Sequence, residues 1–171
     1  MDLTDLARRL LEPIPANRTL GLRVLRAADA SATVTAGPAP AFANVIGSLH
    51  SSGLIALLDA AGLAALIAAA RDEAEFDGVV PLGFAADLRF LAPAKGKLVA
   101  GCTLAGPATE LARGLFDGTT AKIRLSTTSE ITDGSGTVVC TGEFRWSVRR
   151  EPGTTRAPGE AGARRSSSAP G

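Results

Sequence analysis

The sequence predicts an α+β domain in which one long apolar helix is wrapped by an antiparallel sheet, and three observations carry that expectation. Residues 53–70 consist of Gly, Leu, Ile, Ala and a single acid, Asp59, so the segment is apolar on every face and reads as a helix buried all round. Two strand-like stretches precede it and four follow, several of them rich in β-branched residues. Between the last two stands Asp133-Gly134-Ser135-Gly136, a hairpin signal that makes those strands antiparallel neighbours.

Residues 1–13 place Leu3, Leu6, Leu10 and Leu11 at helical spacing, with Asp2 and Thr4 as candidate caps and Pro13 as a stop, which predicts a short amphipathic helix. Residues 20–28 and 30–36 read as two strands joined by a turn near Asp29, with Leu22, Val24 and Val34 facing inward. The proline-rich residues 37–41 break the second strand, and Phe42 leads into the loop before the apolar helix. Polar residues 71–78 read as a loop. Residues 79–91, 98–105, 121–132 and 137–149 are the four later strands. Between them, residues 106–118 form a longer connection, read either as an edge hairpin or lid or as a surface insertion without a role. Beyond Arg150 no hydrophobic side chain larger than Ala occurs, so residues 151–171 read as a disordered tail on a single domain of residues 1–150.

Composition narrows the function. A formal charge of +1 argues against a nucleic-acid surface, and aromatic residues at 4% with no Tyr leave few stacking platforms for single strands. Cys102 and Cys140 are too few for a disulfide scaffold and show no metal-ligand spacing, so no metal and no cofactor is expected. Arg8-Arg9 lacks the apolar run of a twin-arginine signal, and no targeting segment is read, which favours the cytoplasm. A membrane span at residues 53–70 meets the length threshold. Asp59 at its centre would cost roughly 3 kcal/mol there, which argues for no membrane.

Asp59 is the residue that needs a reason. An ionised carboxylate in an apolar helix costs several kcal/mol unless it finds partners or shifts its pKa. It is either a structural acid, bonded to backbone or paired with an arginine such as Arg89, or a general base or nucleophile tuned by its surroundings. His50, the only histidine, lies nine residues earlier, and Asn44 six before that. Each has an ordinary reading as well: Asn44 as a turn former, Ser51 and Ser52 as helix N-caps.

The run Asn44-Val-Ile-Gly47-Ser-Leu-His50-Ser51-Ser52-Gly53, with Asp59 nine residues after the histidine, resembles the hotdog-fold acyl-CoA thioesterases of the PaaI type. Those carry Asn, a Gly three residues on, His-Gly-Gly, and an acid inside the central helix. Residues 86–96, with Phe90-Leu91-Ala92-Pro93-Ala94-Lys95-Gly96, are similar to the strand and turn after that helix. The resemblance spans about residues 20–149. It implies a hotdog fold, hydrolysis of acyl-CoA or a related acyl thioester, and a homodimer or homotetramer in which each pocket is built by two subunits. It further implies that amides of Ser51, Ser52 or Gly53 hold the thioester oxygen, and helix N-termini suit that task because their N–H groups are unpaired and partly positive. Asn44 and His50 would orient substrate or water, and Asp59 would act as base or nucleophile across the dimer interface. Arg89, Lys95, Lys97 and Arg113 are candidate partners for the phosphates of coenzyme A.

Two positions depart from the pattern. His-Ser-Ser stands in place of His-Gly-Gly, so hydroxyls would either donate to the oxyanion or crowd it. Gly83 occupies the place of a frequent Ser or Thr that helps position water. Both departures support the alternative reading, a non-catalytic protein that binds acyl thioesters.

Overall fold

The computed structural model of the chain describes residues 1–151. Six antiparallel strands form one sheet: β1 (Arg23–Ala28), β2 (Ser31–Ala36), β3 (Val79–Phe90), β4 (Leu98–Thr103), β5 (Lys122–Thr132) and β6 (Val138–Arg150), in the order β1-β2-β4-β5-β6-β3. The central helix α3 (Ser51–Ile67) lies across the sheet's inner face, with α1 (Thr4–Leu11) and α2 (Pro15–Leu20) beside it. The predicted architecture, one apolar helix against an antiparallel sheet, is present.

Small residues let α3 sit close to the sheet. Leu57, Leu58, Ala60, Ala61, Ala64 and Ala65 are fully buried, opposite Val34, Ala100, Ile131 and Trp146. At Gly62 a Cβ would stand 2.6 Å from Thr127 Oγ1, the atom that accepts the Trp146 indole N–H at 2.9 Å, so glycine is required there by close approach. Cys102 and Cys140 are free thiols buried on β4 and β6, and burial pushes both up from the usual thiol range.

The turns fall where the sequence puts them. Asp29 and Ala30 both adopt positive φ between β1 and β2, the conformation a two-residue hairpin needs. Asp133 Oδ1 accepts from the amides of Ser135 and Thr137 at 2.9 and 3.0 Å and closes the β5–β6 hairpin.

Four elements differ from expectation. The chain before β1 turns once more into helix: Pro15 occupies the first turn of α2, Gly21 ends it in the left-handed conformation, and strand begins only at Arg23. The loop at residues 71–78 contains a single helical turn, α4 (Glu73–Phe76), capped by the Asp72 carboxylate. The connection read as a hairpin or an idle insertion is a helix, α5 (Gly106–Phe116), which buries Ala108, Ala112, Leu115 and Phe116 at helical spacing against β5. The central helix is not enclosed on all sides: Ile55 is 40% exposed, and Ala56, Asp59 and Leu63 on the same stripe are half-buried. The expected tail lies outside the described residues apart from Glu151. Among the described residues no helix is long and apolar enough to cross a membrane.

Candidate active site

The motif loop is a small hairpin hung on two anchors. Asn44 accepts from the amides of Ile46 and Ser48 at 3.1 and 3.0 Å, and its own N–H donates to Ser48 O at 2.8 Å. Gly47 takes the positive φ the turn requires. The ordinary reading of Asn44 as a turn former therefore holds, although its side-chain N–H₂ has no acceptor among the described residues. Ser48 Oγ and Leu49 N both donate to Ala94 O, at 3.1 and 2.8 Å, while His50 N donates to Phe42 O at 2.7 Å. The Pro93-Ala94-Lys95-Gly96 turn thus docks the histidine loop through the Ala94 carbonyl.

His50, rather than either serine, is the N-cap of α3: its Nδ1 accepts from Ser52 N at 3.2 Å and meets Ser52 Oγ at 2.9 Å. The serines enter the first turn instead, because His50 already has the extended backbone of a cap. Of the three amides proposed for the thioester oxygen, Ser52 N–H is taken by His50 Nδ1, and Gly53 N–H donates to His50 O at 2.9 Å. Gly53 serves packing, since a Cβ there would stand 2.9 Å from Leu49 Cγ. Only Ser51 N–H has no acceptor among the described residues, and Ser51 is exposed at the positive end of the helix.

Asp59 lies seven residues below Ser52 and so on nearly the same side of α3, about 10 Å down the axis at 1.5 Å per residue. Its carboxylate has no hydrogen bond and no ion pair among the described residues, so the pairing with Arg89 is not made. Loss of water around it pushes its pKa up to about 6, with no cation among the described residues to bring it back.

The strand beyond the helix is open too. At the sheet edge, β3 exposes Gly83, Ala86 and Phe90, which are in register with the inward-facing Trp146, Phe144 and Cys140 of β6. A Cβ on Gly83 would rest 3.4 Å from Trp146, so a small hydroxyl side chain fits there sterically. Of the cations considered for phosphate contact, Arg113 is committed: it donates to Glu75 at 2.9 Å and to Ala69 O at 2.7 Å. Arg89, Lys95 and Lys97 are exposed and form no ion pair among the described residues. Lys95 borders a cleft of about 280 Å³ lined also by Pro38, Pro40, Ala43, Leu49 and Ala94.

Solved structures carry the same fold. A Pseudomonas aeruginosa protein of unknown function, described as a probable thioesterase, is 27% identical with a TM-score of 0.70 over 86% of this chain and 96% of its own. A Haemophilus influenzae thioesterase aligns with a TM-score of 0.66 at 17% identity, over 90% of this chain and 94% of its own. The Escherichia coli PaaI protein from the phenylacetic acid degradation operon aligns at 0.63 and 19% identity, over 89% and 98%. No curated protein matches the chain in sequence. Residues 6–148 match the family model described as Domain of unknown function DUF4442. The chain therefore belongs to the DUF4442 family, and its fold is the hotdog fold of the PaaI-like thioesterases.

Proposed function

We propose that this protein hydrolyses acyl-CoA or a related acyl thioester, with Asp59 as the base or nucleophile. The observation that carries the reading is the state of Asp59: a half-buried carboxylate with no partner among the described residues, raised to about 6, on the open side of a helix whose N-terminal Ser51 amide likewise has no acceptor among them. A carboxylate kept for stability would be paired or hydrogen-bonded. One kept for proton transfer is left free and tuned toward working pH. The thioesterase names of the structural relatives point the same way.

In this mechanism the thioester carbonyl accepts from Ser51 N–H, with His50 and the Asn44 amide as further orienting donors. Charge developing on the oxygen then meets the positive end of α3. Asp59 takes a proton from water as it attacks and returns it to the departing thiolate; or it attacks the carbonyl itself, expelling the thiolate and forming an acyl-aspartyl anhydride that water then hydrolyses.

Asp59 and His50 of one chain cannot both touch one thioester, because nine helical residues separate them by about 13 Å along the axis. Two copies solve this if the Asp59 of one stands opposite the His50 of the other. The free edge of β3 and the exposed Leu82, Phe84 and Phe90 along it support such a homodimer, which can assemble further into a homotetramer. Arg89, Lys95 and Lys97 are then the cations left for the phosphates of coenzyme A.

The second reading, acyl-thioester binding without turnover, is favoured by Gly83, where no hydroxyl is present to place a water. Thiol release from a panel of short, long and aromatic acyl-CoAs, wild type against Asp59→Asn, separates the two. Hydrolysis lost in the mutant supports the first. Binding of acyl-CoA without any thiol release supports the second.

A further inference from the structure

His50 Nδ1 is approached by two donors from one residue: the backbone N–H of Ser52 at 3.2 Å and its hydroxyl at 2.9 Å. A hydroxyl can give or take a hydrogen bond, but a backbone amide can only give one. The amide therefore gives the pair of contacts its direction, and the hydroxyl, at the shorter distance, adds the second donor that holds Nδ1 as an acceptor. With Nδ1 accepting from the amide, the neutral imidazole carries its proton on Nε2, and the Ser52 hydroxyl donates as well.

We infer that Ser52 is a positioning residue for His50: its hydroxyl and amide together hold Nδ1 as an acceptor, so that Nε2–H is presented outward as a hydrogen-bond donor. His50 is exposed and sits at the cap of α3, so this donor and the free Ser51 N–H belong to the same helix end. In the proposed thioester site, on which this assignment of role rests, His50 then polarises the carbonyl or holds the water and does not remove a proton. Proton acceptance is left to Asp59. The serine here does not simply crowd the helix start, because its side chain is folded back onto the ring.

The single histidine of the chain makes the test direct. In full-length protein labelled with nitrogen-15 in its imidazole ring, long-range nitrogen–proton correlations at pH 8 report which nitrogen is protonated. The wild type is expected to show the Nε2–H tautomer alone. In Ser52→Ala the two nitrogen signals should move toward each other as the tautomers mix, and Ser52→Thr should restore them. On any acyl-CoA that is turned over, Ser52→Ala should lower kcat by roughly fivefold, the worth of one ordinary hydrogen bond, with KM little changed and Ser52→Thr recovering the rate. A wild-type ring protonated on Nδ1, or ring signals that do not respond to Ser52→Ala, would overturn the inference. A ring that responds as described in a protein that hydrolyses no thioester upholds the positioning of His50 and sinks the hydrolytic reading instead.

Discussion

The two ends of the central helix treat their polar groups in opposite ways. At the C-terminal end, Ala68 O accepts from Ala30 N at 2.9 Å and Ala69 O from the Arg113 guanidinium at 2.7 Å, and Ala68, Ala69 and Ala70 are all buried. Glu75 adds to the closure by binding Arg113 and Arg71, while Arg150 donates to the backbone oxygens of Glu75 and Phe116. At the N-terminal end the cap is exposed, Ser51 N–H has no acceptor among the described residues, and two turns down the helix an acid stands without a partner. One end is finished as structure. The other leaves one amide to solvent and one half-buried carboxylate with no partner among the described residues.

The contrast can be broken first at Asp59. Asp59→Asn should lower thioester hydrolysis by roughly a hundredfold or more, the usual worth of a general base, with circular dichroism unchanged. In the wild type, kcat/KM should fall as pH drops below about 6, where the carboxylate takes up its proton. A flat profile between pH 5 and 8 would take Asp59 out of the mechanism.

Arg113→Ala attacks the finished end. Removing a charged donor from Ala69 O and from Glu75 should cost about 2 kcal/mol of stability, read as a lower denaturation midpoint, while turnover per folded molecule stays unchanged. Loss of turnover at unchanged stability would show that the two ends are not separate in role. His50→Ala should reduce kcat by roughly tenfold, less than Asp59→Asn, because it removes an orienting donor rather than the base.

The dependence of stability on pH sharpens the comparison most. A carboxylate whose folded pKa lies above its unfolded value stabilises the fold below the unfolded value, and that contribution is lost as pH rises through the folded one. Between pH 3.8 and about 6 the wild type should therefore lose stability relative to Asp59→Asn. At pH 8 the mutant should melt at the same temperature or slightly higher. A clearly lower melting temperature for the mutant would restore the structural reading of Asp59.

The strands, the central helix and both hairpin turns were legible because each leaves a periodic or turn-forming trace. The helix α5 left one as well, in Ala108, Ala112, Leu115 and Phe116, with Pro107 in the first turn. Its small residues and glycines also suit a loop, which hid it. The six residues of α2 are too few for a period, although Pro15 and Gly21 mark its ends. Asn44, His50 and Asp59 were singled out by the resemblance to PaaI-type thioesterases, but the capping role of His50 could not be read. It depends on a side-chain rotation, and serines are the commoner caps. Nor could the open stripe of α3 be read, because Ile55, Ala56 and Leu63 are as apolar as the buried residues around them. Exposure there is a property of what packs alongside, and the letters of the helix do not carry it.

The edge strand β3 has a consequence for how the chain stays free of unwanted strand pairing. Twelve residues with apolar side chains on both faces and one unpaired flank form a template on which any extended polypeptide could add a strand. Pro81 offers no N–H, the irregularity between Gly83 and Ala85 breaks the register, and Asp87 and Arg89 place charges further along. These features act as gatekeepers against promiscuous strand addition. Replacing Pro81 or Asp87 should therefore show first as yield lost to aggregation.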